Sequence, residues 1–265
     1  TDLDGTLLDR RYDLKGAADA MDSLHQHGCL CVPASSKTHL EMVELSTFRK
    51  FPSPYIFENG GGLSWPSARE PELIGRSAEE ISGLLDHIRD EHLFKFRLFR
   101  DISVVEIAGR TGLTEASARR AKARQASMPL IWTDTRESLE RFREILGFIG
   151  LQVVSGGLFQ TVLDKRCSKA AAMLSIAEEF NRGECRPGLV ACGDAENDLE
   201  MMAIAGTAIL FPNKAGQYVS FDHPRLHFAP SAGHEQWLQR LQHVLALQSN
   251  KVALEQRRTE YTNVE

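Results

Sequence analysis

Several absences narrow this 265-residue chain before any motif is read. Long apolar runs are missing: the longest, Met201 to Phe211, is too short and too broken to span a bilayer. Excess positive charge is missing too. Lys and Arg number 31 against 36 Asp and Glu, a net charge of -5, which leaves no electrostatic footprint for nucleic acid. No CxxC pair occurs among the five cysteines, Cys29, Cys31, Cys167, Cys185 and Cys192. They read as buried or indifferent thiols in a reducing cytoplasm, so a cytoplasmic location is expected. No GxxxxGK[ST] run exists, and Gly60–Gly62 lack GxGxxG spacing, so P-loop and dinucleotide readings have no support. No secretory signal is visible. No apolar residue leads into Asp2, so either the first strand is unusually short or, as expected here, a segment precedes Thr1 in the full protein. With 42% apolar and 25% charged residues, the remainder is an ordinary globular composition, long enough for two domains or one large one.

What is present begins at once. Thr1-Asp2-Leu3-Asp4-Gly5-Thr6-Leu7-Leu8-Asp9 reads as the carboxyl end of a buried strand turning into a loop. In an extended segment, residues i and i+2 share a side, so Asp2 and Asp4 are expected to converge. Converging carboxylates repel unless a cation or a shared proton relieves them, which drives their proton affinities apart. One then suits a nucleophile or metal ligand and the other a proton donor. A calcium loop of the EF-hand kind is excluded, because its fifth and sixth positions would be Thr6 and Leu7. An Asp-Gly turn without chemistry stays open for this segment in isolation.

The pattern along the chain alternates. A helix is expected over 13–28, a buried strand over 29–34, a helix over 38–50 and a strand over 54–57. Strand and helix alternating at this pace predict a doubly wound parallel-sheet α/β core, Rossmann-like, with right-handed crossovers. The period then changes. Helices over 77–91, 114–127 and 136–148, strands over 94–98 and 129–133, and a hairpin of 151–154 with 159–163 predict an inserted α+β domain with an antiparallel sheet. The core pattern resumes with a helix over 168–182, a strand over 188–192, a helix over 197–205, a strand over 208–211 and a helix over 236–248. The tail from Ser249 is polar and is expected to fray. The expected division is a core in two parts, 1–73 and 163–265, around an insert at 74–162.

Ligands of open α/β sheets bind outside the carboxyl ends of the strands. Three strand ends carry polar clusters: Asp2/Asp4, Ser35-Ser36-Lys37-Thr38, and Gly193-Asp194-Ala195-Glu196-Asn197-Asp198. The last supplies hard oxygen ligands that, beside the first pair, suit Mg²⁺, although helix capping also produces acidic starts. Ser35 to Thr38 offers hydroxyls, a cation and N–H groups at a helix start, an anion site or simply an N-cap. Lys169 stands at the start of a core helix, where the helix dipole disfavours a cation.

Together these segments resemble the haloacid dehalogenase superfamily of aspartyl-phosphate-forming phosphatases, with four motifs in order: DxDGT at Asp2–Thr6, Ser35, Lys169, and GDxxND at Gly193–Asp198. The insert lies where that superfamily carries a large α/β cap. Within it, Ser35–Thr38, Glu58-Asn59-Gly60, His92–Phe96, Leu130–Asp134 and Ser155–Phe159 look like the mannosyl-3-phosphoglycerate phosphatase family. The resemblance implies Asp2 as nucleophile, Asp4 as acid and base, and Ser35 and Lys169 as phosphoryl contacts. It implies Mg²⁺ held by Asp2, the Asp4 backbone carbonyl, Asp194 and, through water or by orienting Lys169, Asp198. Substrate contacts are then expected at Ser36, Lys37, Thr38, Asn59, Gly60 and Asn197. The expected partner is a phosphorylated sugar-glycerate, with no nucleic acid and no membrane. Lys95 and Arg97, on one strand face, could meet a glycerate carboxylate or simply face solvent, and Gln160 and Thr161 are alternative polar contacts. Leu158 stands where that family often has arginine. Another sugar phosphate, such as glucosyl-3-phosphoglycerate, and a non-catalytic metabolite-binding role are the alternatives.

Overall fold

The computed structural model describes residues 1–47, 54–66, 70–156, 158–180 and 188–246. Its core sheet is built from parallel segments whose side chains alternate between two faces. Leu226–Phe228, Thr207–Leu210 and Val190–Gly193 pair in parallel. Asp2 N–H then donates to the Cys192 carbonyl (2.9 Å), Ala34 N–H to Thr1 (2.7 Å) and Ser35 N–H to Ile56 (3.0 Å). These bonds continue the sheet through residues 1–3 and 32–35 to the strand Tyr55–Phe57. Gly62–Ser64 and Glu72–Leu73 extend it antiparallel at the edge, two short strands the sequence pattern does not reveal. The run 29–34 makes only an isolated bridge at Ala34 rather than a regular ladder.

Both faces are covered, as a doubly wound sheet requires. Cys192, Ile209 and Phe57 pack with Ala17, Met21 and Leu24 of the helix Leu14–Gln26 and with Trp237 and Leu241 of a helix spanning 234–246. Their alternates Ala191, Ala208, Leu210 and Ile56 pack with Ala172 and Ile176 of the helix Lys169–Phe180 and Met201 and Met202 of the helix Leu199–Ile204. The Asp13 carboxylate starts the first of these helices by accepting from the Lys15 and Gly16 amides. The α/β class and doubly wound core expected from the sequence are what the chain adopts.

The insert forms a separate antiparallel sheet in the order Phe96–Leu98, Ser127–Trp132, Phe159–Asp164, Leu151–Gly156. One face packs under the helices Ala78–His92 and Arg136–Phe148, through Ile81, Leu85, Phe142 and Leu146 against Leu98, Leu130 and Val162. The helix expected over 114–127 is shorter, Glu115–Lys122, because Ser127 already belongs to a strand. A further helix, Val104–Thr111, precedes it, capped by the Ser103 hydroxyl and stopped at Gly112 with φ +75°. The expected tail from Ser249, and the ends of the helices expected over 38–50 and 168–182, lie outside the described residues.

Two buried carboxylates fasten the insert to the core. Glu58, fully buried, accepts from Gln125 N–H (2.8 Å), Ala126 N–H (3.1 Å) and the Ser127 hydroxyl (2.6 Å). Its backbone sits at φ +49°, a left-handed conformation rare for this residue type, and the three bonds offset that strain. Asp164, at the other end of the insert, accepts from the Arg166 side chain and amide (3.0 Å each) and from Arg76 N–H (3.3 Å). The Arg166 guanidinium, against the cost of burial, holds the Asp164 carboxyl down at about 2. A depressed folded-state pKa contributes stability above the unfolded value and loses it as pH falls through the folded one. Denaturant unfolding of Asp164→Asn at pH 7 is expected to show a loss of at most about 2 kcal/mol, since Arg166 is largely exposed. The difference from wild type should shrink between about pH 4 and pH 2.

Candidate active site

At the carboxyl ends of the core strands, four segments distant in sequence meet around one buried lysine. Lys169, 1% exposed, donates to Asp2 Oδ1 at 2.6 Å and to Asp198 Oδ1 at 2.7 Å. The helix dipole that opposes a cation at this helix start is outweighed by two carboxylates in direct contact. Both acids raise the lysine's proton affinity against the opposing pull of burial. Burial pushes the Asp2 carboxyl up to about 7, even with Lys169 beside it, and the Asp194 carboxyl up to about 6. The cluster therefore holds more negative charge than one ammonium compensates.

The turn after Val190–Gly193 is shaped to place these acids. Asp198 Oδ2 accepts from the Asp194 and Ala195 amides at 3.0 and 3.1 Å, tying the turn Glu196–Asp198 back on itself. A side chain at Gly193 would meet Asp198 Cβ at 2.4 Å, so the leading glycine of this motif is needed for the close approach. On the facing loop Gly5, at φ +100°, is needed twice over: a Cβ there would lie 2.4 Å from Asp194 Oδ2. Asn197 Nδ2 donates to Asn59 Oδ1 (3.0 Å), linking this turn to the left-handed stretch Glu58–Gly60.

Ligand atoms of Asp2, Asp194 and Asp198 all lie within 4.8 Å of one another. Among the described residues, Asp198 has both oxygens engaged, while Asp194 receives only a long contact from the Thr6 hydroxyl (3.5 Å). Hard, buried, partly unengaged carboxylate oxygens in excess of positive charge fit a small divalent cation such as Mg²⁺. Asp2 and Asp194 would be the direct ligands in such an arrangement, while Asp198 holds Lys169 and the loop amides.

Asp4 lines the same cavity as Asp2 and Asp194, and its carboxylate has partners of its own. Asp4 Oδ2 pairs with Lys37 Nζ (2.7 Å), and Oδ1 accepts from the Tyr12 hydroxyl (2.8 Å). Lys37 also lies over the Tyr12 ring, 5.4 Å from its centroid. Nothing about Tyr12 in the sequence announces this contact, which arises where the opening loop folds back on itself.

Ser35 is buried beneath the loop, its carbonyl accepting from Asn59 N–H and its hydroxyl from Lys37 N–H. Ser36 lines the open side. Thr38 is turned inward: it shares Glu41 in a reciprocal cap of the helix His39–Thr47 and donates to the Arg120 carbonyl of the insert (3.0 Å). Gly60, at φ +88°, allows the Ser168 carbonyl, next to Lys169, to approach where a Cβ would stand 2.1 Å away.

Above these groups lies a cavity of about 550 Å³. Its core wall carries Asp2, Asp4, Lys37, Asn59, Asp194 and Asn197, and its opposite wall Phe99, Ile107, Leu113, Pro129, Val154 and Phe159 of the insert. Pro129, Thr161 and Val154 are cross-strand neighbours on this face. Gln160, one residue along, points the other way and accepts from Arg143 (3.3 Å) and the Ser155 hydroxyl (2.9 Å). Of Gln160 and Thr161, Thr161 is the one that lines the cavity. Arg97 forms a two-pronged pair with Glu106 (2.8 and 2.9 Å), and Lys95 is exposed. Leu158 is 65% exposed. Arg124, which the sequence does not single out, also lines the cavity.

Residues 130–217 match the family model of haloacid dehalogenase-like hydrolases. Solved structures share the fold at low identity. A Thermoplasma acidophilum protein aligns with TM-score 0.65 and 16% identity, over 91% of this chain and 95% of its own. A haloacid dehalogenase-like hydrolase of B. subtilis gives 0.63 and 14%, over 91% and 97%. A Bacteroides thetaiotaomicron protein studied among phosphatases of the haloalkanoate superfamily gives 0.66 and 19%, over 91% and 92%. The chain shares the fold of these proteins, a Rossmann-like core with a cap, and part of it is similar to that hydrolase family. The insert takes the place of the cap, and the cavity lies between cap and core. No described helix is long and apolar enough to cross a membrane.

Metal binding gives a direct check. Mg²⁺ at a hundredfold excess over its dissociation constant is expected to stabilise the protein by about 2.7 kcal/mol in thermal or denaturant unfolding. Asp194→Asn is expected to remove most of that gain. Asp4→Asn, whose expected metal ligand is the backbone carbonyl rather than the carboxylate, should retain most of it.

Proposed function

We propose that this protein is a Mg²⁺-dependent phosphomonoester hydrolase that forms an aspartyl-phosphate on Asp2. The observation that carries the reading is the contact of Lys169 with Asp2 and Asp198 inside a three-carboxylate cluster at the strand ends, opening onto a cavity large enough for a phosphorylated small molecule. Bound Mg²⁺ would neutralise the phosphoryl oxygens and the surplus carboxylate charge. The chain's own residues do the rest. Lys169 holds Asp2 Oδ1, leaving the other oxygen to attack phosphorus while the ester P–O bond breaks. The Lys37 ammonium and the Ser36 amide face the transferring phosphoryl group, where positioning and charge supply most of the rate.

Asp4 moves the proton. It gives one to the departing alkoxide oxygen, then takes one from the water that attacks the phospho-aspartate, releasing inorganic phosphate and restoring Asp2. The Lys37 ammonium and the Tyr12 hydroxyl hold one Asp4 oxygen each, which fixes the carboxylate at the mouth of the site. When Lys37 turns to the phosphoryl oxygens, Asp4 is freed to carry the proton the first step needs. The apolar cap wall excludes water during transfer and shapes the choice of leaving group.

The finer reading, from the sequence resemblance, is hydrolysis of mannosyl-3-phosphoglycerate to mannosylglycerate, in the cytoplasm. Glucosyl-3-phosphoglycerate is the second sugar phosphate to try. A non-catalytic metabolite-binding protein on the same fold is the reading from another class. The purified protein with Mg²⁺ is expected to release phosphate from monoesters, Asp2→Asn to fall to background, and Asp4→Asn to lose roughly 10²–10⁴ in kcat. Turnover surviving Asp2→Asn would rule out the phosphoenzyme. Phosphate binding without turnover by the wild type would favour the binding-protein reading. A kcat/KM for mannosyl-3-phosphoglycerate no higher than for p-nitrophenyl phosphate would remove the sugar-glycerate name alone.

A further inference from the structure

One residue of the opening loop holds a strained backbone that core packing does not explain. Tyr12 sits at φ +54°, a left-handed conformation costly for a bulky aromatic. Its N–H donates to the Asp9 carbonyl (3.1 Å) and its own carbonyl accepts from Leu14 N–H (2.9 Å). The Asp9 carboxylate also accepts from the Arg11 amide (2.9 Å), so the turn is held from both sides. The residue is 41% exposed and lies outside the buried apolar clusters of the described residues. What this conformation achieves is polar: the hydroxyl reaches Asp4 Oδ1 (2.8 Å), and the ring face receives the Lys37 ammonium 5.4 Å from its centroid. Of these three groups, Asp4 and Lys37 line the cavity.

We propose that Tyr12 is the positioning residue of proton transfer: by donating to Asp4 Oδ1, it makes Oδ2 the oxygen that carries the proton to the leaving group. The inference rests on the phosphatase reading and goes further, because the two partners of Asp4 then have different fates. Lys37 holds Oδ2 (2.7 Å) and is drawn off by the phosphoryl oxygens, whereas the neutral phenol has no anion to follow. The ring gives the ammonium a favourable contact before and after that move. With Oδ1 still accepting from the phenol, the acid proton sits on Oδ2, the position Lys37 has left. As Asp2 attacks, the ester O–P bond breaks and this proton passes from Oδ2 to the departing oxygen. The water that cleaves the phospho-aspartate then returns one proton to Oδ2. A carboxyl free to rotate would present either oxygen, and the loss from misplacement grows with the leaving group's need for a proton.

Two esters differ in that need. p-Nitrophenolate departs as a stable anion, whereas the alkoxide of glycerol 2-phosphate departs only with a proton. Values of kcat/KM are measured for both with the Mg²⁺-loaded full chain, because they report the step in which the leaving group departs. Tyr12→Phe keeps the ring and loses only the hydroxyl. It is expected to lower kcat/KM about tenfold for glycerol 2-phosphate, the order of one hydrogen bond to a charged group, and less than about twofold for p-nitrophenyl phosphate. Added to Asp4→Asn, the same change should alter neither value, since the group it positions is gone. Tyr12→Asn, which tolerates the left-handed backbone, should reproduce the pattern and serves as the second variant if Tyr12→Phe does not fold. A residue that only supports the loop predicts equal losses for both esters, and that result overturns the proposal. So does an unchanged kcat/KM for glycerol 2-phosphate in Tyr12→Phe, or a further loss when it is added to Asp4→Asn. A wild type that cleaves only the aryl ester overturns it as well, because no proton donor is then at work. A wild type that cleaves neither ester removes the phosphatase reading itself, and this inference with it. The melting temperature of each variant separates misfolding from loss of proton delivery.

Discussion

The architecture of the site depends on a lysine that could not be buried alone. Taking an ammonium out of water costs several kcal/mol, and the Lys169 side chain is almost fully enclosed. It tolerates that position because Asp2 and Asp198 reach it from two other strand ends. Neither carboxylate would be stable there unpaired, so the three groups hold one another in place. The pairs span 167 and 29 residues of sequence. A single ionic contact thus pins together the opening loop, the helix Lys169–Phe180 and the Gly193–Asp198 turn. Charge remains uncompensated after that pairing, and the negative potential left at Asp2 and Asp194 makes a divalent cation the natural complement.

Around that contact the two domains divide the chemistry. The core presents charged and amide groups on short loops, brought close by glycines at positions 5, 60 and 193 that leave no room for a side chain. The cap presents mostly carbon. Its connection to the core is nonetheless polar and specific, through Glu58 accepting from three donors of the 125–127 segment and Asp164 accepting from Arg166 and Arg76. Because the Glu58 turn continues directly into Asn59 and Gly60, the residues that seat the cap are contiguous with those that flank Lys169. Cap placement and the shape of the reacting pocket are therefore mechanically linked.

The fold class and most elements could be read from periodicity, since buried strands and amphipathic helices declare themselves locally. The edge strands Gly62–Ser64 and Glu72–Leu73 and the parallel strand Leu226–Phe228 could not, being two or three residues long and stabilised by neighbours far away in sequence. The segments that meet at the strand ends were legible because a polar cluster directly after an apolar run marks the point where a buried strand emerges into a loop. Which way each side chain turns was not. Asp4 is taken up by Lys37 and Tyr12, Gln160 and Thr161 fall on opposite sheet faces, and Arg97 is consumed by Glu106.

By itself, then, the order of residues determined the alternation of strands and helices, the place of the insert and the short loops able to carry acid, hydroxyl and amide groups. Those are consequences of spacing, and spacing is written in the chain. Only the folded molecule decided that Lys169 lies between two carboxylates, that Tyr12 and Lys37 take up Asp4, and that Arg124 lines the cavity. Such contacts join positions tens to hundreds of residues apart, and their geometry follows from how sheet, cap and loops pack, which no local pattern encodes.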